Sequence, residues 1–231
     1  MTQLFNEIFF RPIFNALVLI YNLMPGQDFG VAIVILTVII RLIFVPLSLK
    51  TLRSQRELAR LQPKIKELQE KYKNDRPALS RATLELYKTH NVNPFSGCLP
   101  ILIQLPVLIA LYQAFRLGLE PNSLNSLYSF VSSPGTINNI SLGLINLSQK
   151  SPLLAVTAGA LQFVQSKLAA VNTNPSGGQD ITAAMMSRQM LYFFPVMVII
   201  ISWNLPTGLV IYWVVTTLFS IFEQLLIKRK Y

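Results

Sequence analysis

The chain has 231 residues, of which 52% are hydrophobic and only 13% charged, with a mean hydropathy of +0.47. A soluble domain carries about a quarter charged residues, so this composition excludes an ordinary water-soluble fold and points to an integral membrane protein. The formal net charge of +10 is concentrated in one segment, and Cys98, the single cysteine, leaves no partner for an internal disulfide or a thiolate metal cluster.

Residues 1–26 contain an apolar run from Ile13 to Met24, interrupted by Asn15 and Asn22. About a dozen residues is too short to span, so a helix lying in the outer interface is expected. Arg11 stands in this stretch and no small-x-small cleavage pattern follows, which argues against a signal peptide. Pro25-Gly26 breaks the helix, and residues 29–49 form the first predicted span.

The pattern changes over residues 50–93. Leu58, Leu61, Ile65, Leu68 and Tyr72 recur at steps of three and four, the seam of a packed helix. Lys73 to Pro77 interrupt it, with Asn74 or Asp75 available to cap a second helix and a proline near its first turn. Leu79, Ala82 and Leu86 continue an apolar stripe. A basic helical hairpin is predicted, bearing Arg53, Arg56, Arg60, Lys64, Lys66, Lys71 and Lys73.

A second span is expected over 95–116, bent by Pro100 and Pro106, with Cys98 near its start as a small buried hydrophobe and His90 before it as a solvated loop residue. Residues 117–151, rich in Ser and Asn with a turn at Pro134-Gly135, form an extracytoplasmic loop. Residues 152–171 are the third span and 172–187, with Asn174 to Gly178, a flexible cytoplasmic loop. Residues 188–205 and 207–227 are the fourth and fifth spans, joined tightly enough at Asn204 to Gly208 to run antiparallel, and 228–231 are a cytoplasmic tail. Lysine and arginine crowd the hairpin and the tail, and Lys167 and Arg188 flank the 172–187 loop, which places these in the cytoplasm and the N-terminus outside. The expected fold is an all-α membrane protein with five transmembrane helices, N-out and C-in, an outer interfacial N-terminal helix and a cytoplasmic helical hairpin.

Arg41 is the most informative single residue. It precedes Lys50 by nine positions, about 13 Å of helix, which puts it near mid-bilayer. Such an arginine costs roughly 2.5–3.5 kcal/mol on insertion scales. Asp28 and Glu223 stand at opposite ends of their spans, so no acidic partner matches its depth and a wet cavity is expected around it. Gln104, Gln113, Gln162, Gln165 and Thr216 add polar groups to the spans, with Gln162 and Gln165 on one helical face. Trp203, Tyr212 and Trp213 are candidate interfacial anchors, and Trp213 is equally placed to line a groove. A transporter or channel would also have a polar cavity, but the odd span count and the lack of an inverted repeat or an acidic mid-bilayer residue count against it. No Gly-x-Ser-x-Gly elbow, intramembrane histidine, carboxylate pair or Gly-x-x-x-x-Gly-Lys phosphate loop supports an enzyme.

Three stretches carry a family resemblance: Arg41 followed by Leu42-Ile43-Phe44-Val45-Pro46-Leu47, the run from Asn91 to Pro106, and Leu205 to Trp213. Their order along nearly the whole chain resembles the YidC-type membrane protein insertases, in the shorter bacterial form that lacks a large extracytoplasmic domain and a long basic tail. The resemblance implies five core helices around a hydrophilic groove open to cytoplasm and lipid. Arg41 would be its arginine, Trp213 and either Gln162 or Gln165 its neighbours, and Gln104 a further polar lining. It implies insertion of nascent membrane proteins into the bacterial plasma (inner) membrane without a cofactor or metal, and with no sequence-specific nucleic-acid recognition. The basic hairpin would receive substrates, with a ribosome, a targeting receptor and the Sec translocon as candidate partners.

Overall fold

The computed structural model describes residues 2–93, 99–118, 127–135, 137–169 and 181–230. Thr2–Phe5 (α1), a π-helical turn Asn6–Phe10 and Arg11–Leu23 (α2) follow one another without a break. The rod is longer than the run from Ile13 suggests, because Leu4, Phe5, Ile8, Phe9 and Phe10 extend its apolar surface. Gln3–Leu23 is therefore one of three helices among the described residues long and apolar enough to cross a membrane, with Phe29–Lys71 and Thr207–Ile227. Gln104–Phe115 and Leu191–Asn204 are shorter apolar stretches.

Phe29–Lys71 (α3) is a single helix of 43 residues, about 65 Å long. It carries the first apolar run and the first arm of the hairpin without interruption. Arg76–Thr89 (α4) is the second arm. Of the two candidate caps it is Asp75 that starts α4, accepting the Ala78 amide at 2.9 Å, with Pro77 in the first turn. The arms meet through buried Leu61, Ile65 and Val92, flanked by Leu58, Leu86 and Tyr87.

Leu99–Gly118 (α5), Pro152–Ala169 (α6), Ile181–Asn204 (α7) and Thr207–Lys230 (α8) complete the helices. Helix α7 takes in residues 181–187, assigned to a loop from the sequence, because Ala183, Ala184, Met185 and Met186 favour helix. Cys98 and most of the loop with Asn174 to Gly178 lie outside the described residues, as does the outer-loop segment 119–126. Helix α6 packs against both α7 and α8. Small residues on α6, Ala155, Ala158 and Gly159, are fully buried there or bring the backbones close: a Cβ at Gly159 would meet the Ile199 side chain and the Pro195 carbonyl oxygen.

Sequence patterning missed a two-stranded antiparallel ribbon, Ile140–Ser141 (β1) with Ile145–Asn146 (β2), turned at Leu142 and Gly143 with positive φ. Two-residue strands are too short to show an alternation. The ribbon is tied to α3 by Asp28, whose carboxylate caps the helix at Val31 (3.0 Å) and accepts from Ser141 Oγ (2.7 Å) and the Leu142 amide (2.5 Å). Asn15 and Asn22, which break the apolar run of α2, bond the same loop: Asn15 accepts the Tyr128 amide and Asn22 donates to the Ser132 carbonyl, both at 2.7 Å.

Burial raises the Asp28 pKa, but donors from Ser141, Leu142, Val31 and Gly30 outweigh it and hold the carboxyl below its usual range. A depressed folded pKa contributes stability that is complete above the unfolded value, about 4, and is lost as pH falls through the folded one. Asp28→Ala should therefore cost about 1–2 kcal/mol at pH 7, with the gap to wild type closing below about pH 4. Thermal unfolding in detergent at pH 7 and pH 3 measures both.

Candidate functional site

Helices α3, α5, α6, α7 and α8 enclose a cavity of about 430 Å³. Helix α3 supplies Thr37, Arg41, Phe44, Ser48 and Thr51, at steps of four and three that keep one stripe facing inward. Helix α8 supplies Tyr212, Trp213, Thr216, Thr217 and Ser220, again a single face. Gln104 of α5 and the Gln162–Gln165 pair of α6 complete the polar lining, while Phe194, Met197 and Ile201 of α7 make an apolar wall.

The guanidinium of Arg41 has no hydrogen-bond or ion-pair partner among the described residues. The field of Glu223 reaches it, but the Glu223 carboxylate is engaged by the hydroxyl of Ser48. The hydroxyls of Thr37, Thr217 and Ser220 donate to carbonyls four residues back at 2.6, 2.9 and 3.1 Å. Their lone pairs remain available to acceptor-seeking groups in the cavity.

The cavity has one closed end. Toward the ribbon, Phe29, Ala32, Ile33 and Leu36 of α3 pack with Val107, Leu111 and Phe115 of α5, Leu209 and Tyr212 of α8, and Leu147 of the loop. The loop also bonds the start of α8, where the Thr207 and Gly208 amides donate to the carbonyls of Gln149 (2.8 Å) and Leu147 (3.0 Å). From Thr37 to Thr51 the lining runs the other way, about 21 Å along α3 toward the hairpin.

All five residues singled out for a groove, Arg41, Gln104, Gln162, Gln165 and Trp213, line this one space. Gln162 and Gln165 both do so, with Gln162 Nε2 donating to Gln165 Oε1 at 2.9 Å. Gln113 does not, since nine residues from Gln104 turn it by about 180° to the other face of α5. Tyr212 is not an interfacial anchor: it is buried, and its hydroxyl accepts from Gln104. The sequence reading passed over Ser48, Thr51, Thr217 and Ser220, although Ser48 and Thr51 stand seven and ten residues from Arg41, and Thr217 and Ser220 four and seven from Trp213, on the same helix stripes.

The basic residues of the hairpin lie apart from the cavity. Arg53, Arg60, Lys64, Lys71 and Lys73 are exposed, and Arg56 and Lys66 half-buried. Arg56 donates to the Gln224 carbonyl at 3.3 Å, fastening the hairpin root to α8. His90 is exposed at the end of α4, and its Nε2 lies 3.0 Å from Lys64 Nζ of the first arm. Among the described residues no group of His, Cys, Asp and Glu side chains is arranged to hold a metal ion.

A family model described as 60Kd inner membrane protein matches residues 19–231. The chain belongs to this family. A protein of Fusobacterium nucleatum subsp. nucleatum named membrane protein insertase YidC is 36% identical over 203 residues, 88% of this chain and 87% of that protein. Proteins of the same name from Geobacter sp. strain M21 and Geotalea uraniireducens are 35% and 36% identical over 221 residues. These cover 95% of this chain but 36% and 37% of the two relatives, so the chain spans little more than a third of their length. Family membership and the long apolar helices together identify an integral membrane protein of the 60Kd type.

If the cavity holds water, Gln165→Cys in a Cys98→Ser background should react with a small water-soluble maleimide in detergent. Val198→Cys, at a site packed completely against α6 and α8, should react at least about tenfold more slowly. Equal rates would mean that the space is closed to solvent.

Proposed function

We propose that the chain is a membrane protein insertase that takes the hydrophilic part of a nascent membrane protein into its cavity while the substrate's apolar helix passes into lipid. One observation carries the reading: a cation without a bonded partner faces a mixed polar and apolar space that is closed toward the ribbon. The names of the relatives support it. A polar tail crossing hydrocarbon pays heavily for desolvation, and a wet space beside Arg41 shortens the dry part of its path. At an effective dielectric of about 20, opposite charges 4 Å apart attract by roughly 4 kcal/mol. That is comparable to the roughly 2.5–3.5 kcal/mol cost of one charged residue at the centre of a helix in the bilayer.

In this reading Arg41, Gln104, Gln162, Gln165 and Trp213 form the substrate groove, and Arg53, Arg56, Arg60, Lys64, Lys66, Lys71 and Lys73 make the hairpin a receiving surface for substrates, anionic lipid, a ribosome or a targeting receptor. Action beside the Sec translocon is compatible with it. The chain spans the bacterial inner membrane five times, N-out and C-in, with the cavity open to the cytoplasm. The segment before α3, although long and apolar enough to cross, lies at the outer interface, a position supported by the bonds of Asn15 and Asn22 to Tyr128 and Ser132 of the outer loop. Catalysis is not covalent: attraction and burial drive the transfer, and no cofactor or nucleotide takes part.

Reconstitution into liposomes tests this. A single-span substrate with an acidic tail should gain protease protection of that tail only when the protein is present. Arg41→Ala should slow the insertion of acidic-tailed substrates by about tenfold or more, and neutral tails much less. Arg41→Lys should largely preserve it. Protection equal to that of empty liposomes would refute the proposal, and ion conductance in the same vesicles would then favour a channel.

A further inference from the structure

Glu223 is a buried charged side chain, 4% exposed on α8. A single hydroxyl, that of Ser48, bonds it, which is thin compensation for a buried carboxylate. Both groups flank the cavity. Ser48 is part of its lining, and Glu223 follows the lining residue Ser220 by one helical turn. On α3, Ser48 comes seven residues after Arg41, about 10 Å of helical rise toward the hairpin. Arg41 and Ser48 line the same cavity and Ser48 holds Glu223, yet no ion pair closes between Arg41 and Glu223. The cavity therefore has a guanidinium at Arg41 and, behind the lining residue Ser48, a carboxyl group toward the hairpin end.

We infer that Glu223 is a specificity-determining residue that serves as the built-in counter-charge of Arg41 and sets how much negative charge an incoming tail must carry to be drawn in. The inference rests on the insertase reading for its biological meaning, but the charge selectivity of the cavity can be measured separately. With Glu223 ionised, an acidic side chain at Arg41 is attracted by the guanidinium and repelled from behind Ser48. A basic residue placed nearer the hairpin end is tolerated for the same reason. Removing the carboxylate charge leaves Arg41 unopposed, so acidic tails bind more tightly and basic tails more weakly. Over about 10 Å, at an effective dielectric between 20 and 40, the change corresponds to a factor of roughly 4 to 15 per tail charge.

The experiment uses the full chain in detergent with Trp203→Phe, leaving Trp213 in the cavity wall as the single tryptophan. Three synthetic peptides share one apolar helix and differ in a short tail bearing Asp, Asn or Lys. Their binding is followed by Trp213 fluorescence. Glu223→Gln should tighten binding of the Asp peptide by roughly 4- to 15-fold, weaken the Lys peptide and leave the Asn peptide unchanged. Glu223→Asp, which keeps the charge, should behave like wild type. Unchanged discrimination in a folded Glu223→Gln protein would overturn the inference, and so would a Glu223→Asp protein that shifts as Glu223→Gln does. The same peptides offered to proteoliposomes separate the two claims. Shifted binding without any protein-dependent insertion would sink the insertase reading and leave the charge selectivity standing.

Discussion

A guanidinium on an apolar helix has to stay solvated, and much of this bundle is arranged around that requirement. Arg41 is always charged in practice, and among the described residues no carboxylate is placed to pair with it. Solvation must come from polar surface and water. Four helices accordingly turn Gln104, Gln162, Gln165, Trp213 and a series of hydroxyls toward the space it faces. The remaining wall is apolar, which makes the cavity amphiphilic.

The two ends of the bundle are built differently, and the difference is chemical. On the ribbon side an aromatic and aliphatic core fills the space between α3, α5 and α8. Bonds from Asn15, Asn22, Asp28 and Thr207 fasten the loop over it. On the hairpin side the contacts are sparser, with Arg56 on the Gln224 carbonyl and Ser48 on Glu223. The space is sealed by dense packing at one end and bounded by polar and charged groups at the other. Helix α6 makes this geometry compatible with a compact bundle. Its small residues let α7 and α8 approach from both sides, while Gln162 and Gln165 remain on the face turned to the cavity.

Much of this was legible in the chain before any coordinates. Run lengths and the scarcity of charge identified apolar helices. The alternating steps of Leu58, Leu61 and Ile65 identified the hairpin, and the position of Arg41 inside an apolar run called for a polar enclosure. What was not legible had common physical causes. Strands of two residues have no period to detect, and the asparagines of α2 look like defects in an apolar run until their partners in the loop are known. Tyr212 looked like an anchor because aromatic residues near helix ends often are, whereas its contact with Gln104 depends on how α5 meets α8.

The sequence by itself determined which segments are apolar helices, which faces of them carry polar groups, where the positive charge gathers and that one arginine needs a solvated environment. These follow from local composition and from the fixed 3.6-residue period of the helix. Only the tertiary structure decided that α6 lies against both α7 and α8, that Gln162 and Gln165 share the cavity, that Asp28 clamps the ribbon and that Glu223 sits behind Ser48 within electrostatic reach of Arg41. A helix specifies its own faces, but not the rotation and depth at which a neighbour's side chains interlock with it. Those are settled by shape complementarity between residues far apart in the chain.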